Sequence, residues 1–150
     1  MPWALLWCIF MSSERNKEMT YIEEDAIVRQ ELDAVVAECS VDNWNGYGAK
    51  PINHESVQKT IELLSLIPAN LPRPEFSCDP DGCVALDWFY SPYNVLSVSV
   101  ETNGCLCFAT LLGGKPERDG GRSRNGVLVF DGTFPSELKF IICEIFHIGM

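Results

Sequence analysis

Two short glycine turns, set between runs of alternating apolar residues, constrain this chain more than any other feature. The first, Asp79-Pro80-Asp81-Gly82, separates Glu75–Cys78 from Cys83–Trp88; the second, Thr102-Asn103-Gly104, separates Val95–Glu101 from Cys105–Leu111. Side chains alternate faces along a strand, so a one-residue slip moves the whole apolar set to the other face. At the first turn a four-residue loop would pair Phe76 with Ala85. A three-residue loop, Pro80-Asp81-Gly82 with the glycine in a bulge, pairs Phe76 with Leu86 and Cys78 with Val84. Only that choice keeps Phe76, Leu86 and Trp88 on one face. At the second turn a two-residue Asn-Gly loop would pair Val100 with Cys107. A three-residue loop instead pairs Val100 with Leu106 and Val98 with Phe108. Two hairpins with glycine bulges are expected.

This register fixes the second face as well. Ala85, Asp87, Ser97, Ser99, Glu101, Cys105, Cys107 and Ala109 fall there, small and polar residues that leave room for another chain or a second protomer. Ser97 and Ser99 are accordingly candidate partner-binding residues. Cys78 and Cys83 land on opposite faces, which argues against a disulfide or a shared metal between them.

Helical patterns flank the sheet. From Tyr21 to Cys39 the residues Val28, Leu32, Val35, Val36 and Cys39 recur at three-four spacing. The stretch Asn43-Trp44-Asn45-Gly46-Tyr47-Gly48-Ala49-Lys50-Pro51 cannot continue a helix. It reads as a folded corner, with Trp44 and Tyr47 large enough to peg it to a core, and both are candidate partner-binding residues. Asn53 is the expected cap of a second helix with a stripe of Val57, Ile61 and Leu64, stopped by Pro68. Leu71-Pro72-Arg73-Pro74 is an extended connector. A last helix, capped by Thr133 with Pro135 in its first turn, carries Leu138, Ile141, Ile142 and Ile145, widened by Phe140 and Phe146. The fold class is α+β: an antiparallel meander of four or five strands, with two helices before it and one after, mainly on one face. Residues 1–20 read as an N-terminal extension and 21–147 as a single domain.

Between the fourth strand and a fifth at Val127–Phe130 lies the glycine-rich loop 113–126. It holds Lys115, Arg118, Arg122 and Arg124 against two acids, a concentrated positive site suited to an anionic patch or a phosphate.

The net charge of −10 disfavours nucleic acid and anionic lipid, whose binding depends on phosphate contacts, and permits a basic partner. The apolar run Met1–Met11 is too short to span a membrane. Seven cysteines without a CxxC spacing suggest reduced thiols in a cytoplasmic protein; zinc on Cys83, Cys105 and Cys107 is the one metal set to weigh. No zinc-protease, nucleophile-elbow or dinucleotide-binding motif is present, so no catalytic, cofactor or metal residue is assigned. His54 reads as an exposed first-turn residue in preference to a general base, and His147 has no evident partner in the sequence.

The corner Asn43–Pro51, the hairpin Asp79-Pro80-Asp81-Gly82-Cys83-Val84-Ala85-Leu86-Asp87-Trp88 and the segment Val98-Ser99-Val100-Glu101-Thr102-Asn103-Gly104 together carry a resemblance over residues 25–146. They resemble a loose family of small uncharacterised bacterial and phage-encoded proteins with a Trp-Asp-Gly-Tyr-Gly-Ala-x-Pro corner and a Pro-Asp-Gly hairpin. Asn45 stands where that family has Asp, a small change in a turn. The resemblance implies a bacterial or mobile-element setting and supplies no catalytic residue. The expected function is a non-enzymatic protein-interaction domain, an inhibitor or neutraliser of a host or toxin protein. The rival is an enzyme or small-ligand binder with a pocket between the Trp44/Tyr47 corner and the sheet. The sequence indicates no oligomeric state.

Overall fold

The computed structural model describes residues 23–113 and 121–150. The expectation for residues 1–20 and the candidates Lys115 and Arg118 lie outside them. The chain divides into two compact units, Met1–Ala34 and Val35–Met150. Helix α1 (23–38) begins in the first and ends in the second. Within the first unit Leu32 is buried, Val28 is half-buried, and Arg29 pairs with Asp33 one turn on at 3.6 Å. These follow the expected stripe.

The second unit contains α2 (His54–Ser65), then β1 (Glu75–Cys78), β2 (Val84–Ser91), β3 (Asn94–Val100), β4 (Cys105–Leu112) and β5 (Arg122–Val129), and finally α3 (Ser136–Phe146). The strands form one antiparallel sheet in the order β1-β2-β3-β4-β5, each paired with its sequence neighbour. Both three-residue loops form. Cys78 pairs with Val84 and Phe76 with Leu86, while Val100 pairs with Leu106 and Val98 with Phe108. Gly82 and Gly104 take φ of 95° and 85°, the left-handed values that the bulges require.

Helices α2 and α3 lie on the same side of the sheet, α2 against β2 and β3, α3 against β2, β3 and β4. Leu86, Trp88, Leu96, Val98 and Leu106 meet Leu63, Leu138, Ile141, Ile142 and Ile145 in a core where every one of them is at most 1 % exposed. Burying a side chain of this kind is worth about 1.5–3 kcal/mol, so this face dominates the stability of the unit. The Trp88 indole N–H donates to the Pro72 carbonyl at 2.8 Å, which satisfies its one polar atom and fixes the extended connector.

The phase of α2 differs from the expected Val57, Ile61 and Leu64 stripe: its buried residues are Ser56, Val57, Thr60 and Leu63. The cause is a polar contact. The Ser56 hydroxyl donates to the Val100 carbonyl at 2.6 Å and accepts from the Val84 N–H at 2.8 Å. Val84 and Val100 face each other across β2 and β3, so this hydroxyl bridges backbone groups at the end of their ladder. Thr60 is also buried and donates to the Ser56 carbonyl at 2.8 Å. Asn53 does cap the helix, accepting from Glu55 N–H at 2.8 Å.

Three expectations are corrected at the C-terminal end. β5 begins at Arg122 instead of Val127, so part of the expected loop is strand. Its first half pairs with β4, from Leu112 opposite Arg122 to Ala109 opposite Asn125, although it has no apolar alternation of its own. Pro135, not Thr133, occupies the cap position of α3; Thr133 instead closes a turn on the Asp131 carboxylate through its N–H at 3.0 Å and its hydroxyl at 2.7 Å. Phe140 points outward at 51 % exposure, whereas Phe146 packs edge-on against Tyr90. His147, in the left-handed conformation that ends α3, also meets Tyr90 edge-on.

Candidate functional site

The side of the sheet opposite α2 and α3 is a surface built from the alternate residues of all five strands. One row across it reads Ser77, Ala85, Ser99, Cys107 and Val127; the next reads Glu75, Asp87, Ser97, Ala109 and Asn125. Small side chains keep the rows low, and the β5 end is apolar, with Val127 and Val129 exposed at 64 % and 76 %.

Carboxylates organise the centre of this face. Asp87 in β2 accepts from Ser97 in β3 at 2.6 Å and from Ser77 in β1 at 3.0 Å, tying three strands together. Asp79 reaches across β2 to accept from Ser99 at 2.6 Å. Ala85 in β2, on the same face, is only 3 % exposed. Burial raises the Asp79 carboxyl above its ordinary range, the Ser99 bond works in the opposite direction, and Asp81, Asp87 and Glu101 add to the rise. These are the marks of a crowded acidic surface. Residues 74–114 contain five acids, Glu75, Asp79, Asp81, Asp87 and Glu101, and no Lys, Arg or His. Sequence reasoning weighed the charge of the whole chain and missed this; a running charge count along the strands would have found it.

Thiols line the end of the face beside the two turns. Cys83 Sγ donates to Glu101 Oε2 at 3.5 Å, and burial followed by the neighbouring carboxylates Asp81 and Glu101 pushes its pKa to about 12. The Cys107 thiol is also raised, first by burial and then by Glu101. Cys78 lies on the helix side of the sheet, as the register requires, where burial and then Cys39 push it to about 12. Raised thiols of this kind are poor nucleophiles.

The glycine corner packs beside the first hairpin. Asn43 Oδ1 accepts from Gly48 N–H at 2.6 Å, and Asn45 Oδ1 accepts from the N–H groups of Tyr47 and Ala49 at 2.8 and 3.2 Å. The Trp44 indole donates to the Lys50 carbonyl at 2.9 Å, so Trp44 pegs the corner to itself. Tyr47 does not peg anything: it is 93 % exposed, because the turn that Asn45 closes points its ring outward. Lys50 N–H and Asn53 N–H then donate to the carbonyls of Pro80 and Gly82, each at 2.8 Å.

The remaining candidates are dispersed. Arg122 and Arg124 stand in β5 opposite the buried Leu112 and Thr110, hence on the helix side, where they pair with Glu144 and Glu137 of α3. They clamp the edge strand to the helix. His54 lies in an open groove of about 400 Å³ along α2 with Glu55, Gln58, Lys59, Glu62 and Thr102. Among the described residues no helix is long and apolar enough to cross a membrane.

Comparison with family models, with curated proteins and with solved structures yields no match.

Proposed function

We propose that this chain is a non-enzymatic protein-interaction domain whose open sheet face docks a basic segment of a partner protein. One observation carries the reading: the strand region 74–114 has five acids and no base, and its outward side chains are short. A low acidic surface with apolar residues at one margin offers charge complementarity for steering and contact area for affinity. Tyr47, exposed on a corner held by its own hydrogen bonds, is a rigid aromatic of the type that anchors interfaces. With the resemblance to bacterial and phage-encoded proteins, this favours a cytoplasmic inhibitor or neutraliser of a host or toxin protein.

The test is affinity capture from a bacterial lysate with three immobilised proteins: the wild type, the open-face variant Ala109→Lys/Val127→Lys and the α2 variant Gln58→Lys. A protein with a basic binding region, retained by the wild type and Gln58→Lys but lost from the open-face variant, is the expected result. Retention that ignores the open-face substitutions defeats the reading.

A further inference from the structure

The two edges of the sheet are built differently. β1 is four residues long and lies between Pro74 and Pro80, a short, proline-bounded edge of the kind that resists pairing with another chain. β5 is eight residues long, contains no proline and follows β4 in one unbroken register. Among the described residues β4 is its only strand partner, and no loop backbone bonds to its outer side.

The ladder fixes which main-chain groups are free. Phe130 N–H donates to the Gly104 carbonyl at 2.9 Å, continuing the register in which Cys105 faces Val129. Along an antiparallel strand, residues that bond to the neighbour alternate with residues that bond away from it. Leu128, Gly126, Arg124 and Arg122 therefore bond to β4. Val129, Val127, Asn125 and Ser123 turn both N–H and C=O to the free edge, four donors and four acceptors in a row.

The side chains beside this edge are balanced in charge. α3 packs on β2, β3 and β4, so β5 lies at the margin of the helix layer. Glu137, Phe140 and Glu144 share one face of α3 at i, i+3 and i+7, and the pairs Arg124–Glu137 and Arg122–Glu144 turn that face towards β5. Phe140 is 51 % exposed between the two pairs. Two cations meet two anions here, whereas the chain as a whole carries −10. A second copy, repelled by the surplus of like charge elsewhere, meets none at this margin.

We propose that β5 pairs antiparallel with β5 of a second copy of this chain, joining the two five-stranded sheets edge to edge about a two-fold axis. Facing residues must lie on the same side of the sheet, and the register with Gly126 at the axis uses every outward donor and acceptor. Ser123 then faces the partner's Val129, and Asn125 faces the partner's Val127. On the helix side Arg124 faces the partner's Leu128 and Arg122 faces the partner's Phe130, so no like charges stand opposite each other. The exposed Val127 and Val129 gain cross-strand neighbours, and the aliphatic stem of Arg124 covers the half-buried Leu128. This self-complementary register and the balanced charge favour a copy over a foreign strand. The open face stays uncovered in both chains, so the contact is separate from the docking surface.

The test uses the full-length protein with a reductant present, so that no intermolecular disulfide forms. Sedimentation velocity from low-micromolar to sub-millimolar protein should show a reversible monomer–dimer equilibrium. Residue-resolved hydrogen exchange should show the amides of Ser123, Asn125, Val127 and Val129 gaining protection with concentration, by at least about 10-fold. Those of Arg124, Gly126 and Leu128 should be protected at every concentration. Asn125→Pro removes an outward N–H that β4 does not use, and should weaken dimerisation by about 10–100-fold. The wild-type exchange pattern needs no variant, so the test stands even where the proline perturbs the strand. A chain that stays monomeric throughout, a dimer whose outward amides remain unprotected, or one that ignores Asn125→Pro would each overturn the proposal. So would protection of those amides that appears only when a different protein is added, which would assign the edge to a foreign strand.

Discussion

Gly82 and Pro51 are in backbone contact: a Cβ built on Gly82 would stand 2.6 Å from the Pro51 carbonyl oxygen. The bonds from Lys50 to Pro80 and from Asn53 to Gly82 flank that contact. The glycine corner and the first hairpin, distant in sequence, thus form one rigid junction. It fixes where α2 starts and so where Ser56 enters the sheet.

Gly82→Ala tests the junction. The substitution meets both a φ of 95° and a backbone oxygen that cannot swing away, and should cost about 2–4 kcal/mol. Gly48→Ala is the control, since its φ is 84° but nothing lies within 4 Å of the added atom. It should cost only about 1–2 kcal/mol of conformational strain. Urea unfolding of both variants measures the difference. Equal losses would mean that the close approach to Pro51 is absent.

Ser56→Ala should destabilise the protein by about 1–3 kcal/mol despite removing a single oxygen. Ser56 is 0 % exposed, and its hydroxyl serves both the Val84 N–H and the Val100 carbonyl. Loss of the hydroxyl leaves two backbone groups without their partner. Native-state hydrogen exchange should show the Val84 amide losing protection more than the amides further along β2. An unchanged unfolding midpoint would contradict the bridge.

The sidedness of the sheet was legible in the sequence because a period of two admits only two registers, and Phe76, Leu86, Val98 and Phe108 choose between them. What escaped depends on distant partners. Arg122 to Asn125 join β5 because β4 offers a ladder and α3 offers Glu137 and Glu144, neither of which is local information. The phase of α2 was misjudged because Ser56 and Thr60 are polar, and an apolar stripe cannot register a hydroxyl that replaces part of a ladder. Tyr47 was assigned to packing by its size, yet the Asn45 turn points it outward. The small polar face was visible in the alternation of Ser97, Ser99 and Cys107. Its lack of any base was equally present but became meaningful only once the strands lay side by side.

Asp79 predicts a pH dependence of defined sign. Its folded-state pKa is raised above the ordinary 3.8, chiefly by burial, so the native state holds its proton to higher pH than the unfolded chain does. Stability from this group is therefore lost as pH rises from about the unfolded value through the raised folded value. Asp79→Asn retains an acceptor for Ser99 and should be more stable than the wild type at neutral pH, with the advantage shrinking on acidification. Urea midpoints of the two proteins across the carboxylate range measure this. A constant difference, or a wild type that is the more stable at neutral pH, would show that the carboxylate is not desolvated.

The most direct check is on which side faces solvent, since the docking surface depends on it. Native protein, pulsed with a small maleimide and analysed by peptide mass spectrometry, reports on Cys39, Cys78, Cys83, Cys105, Cys107 and Cys143. Cys105 and Cys107, half-buried on the open face, should label in the folded state, with Cys107 slowed by its raised pKa. Cys78 and Cys143, on the helix side, should stay protected until denaturant unfolds the chain. Labelling of Cys78 and Cys143 before Cys105 and Cys107 would mean that the sheet faces the other way, and the open acidic surface would not exist.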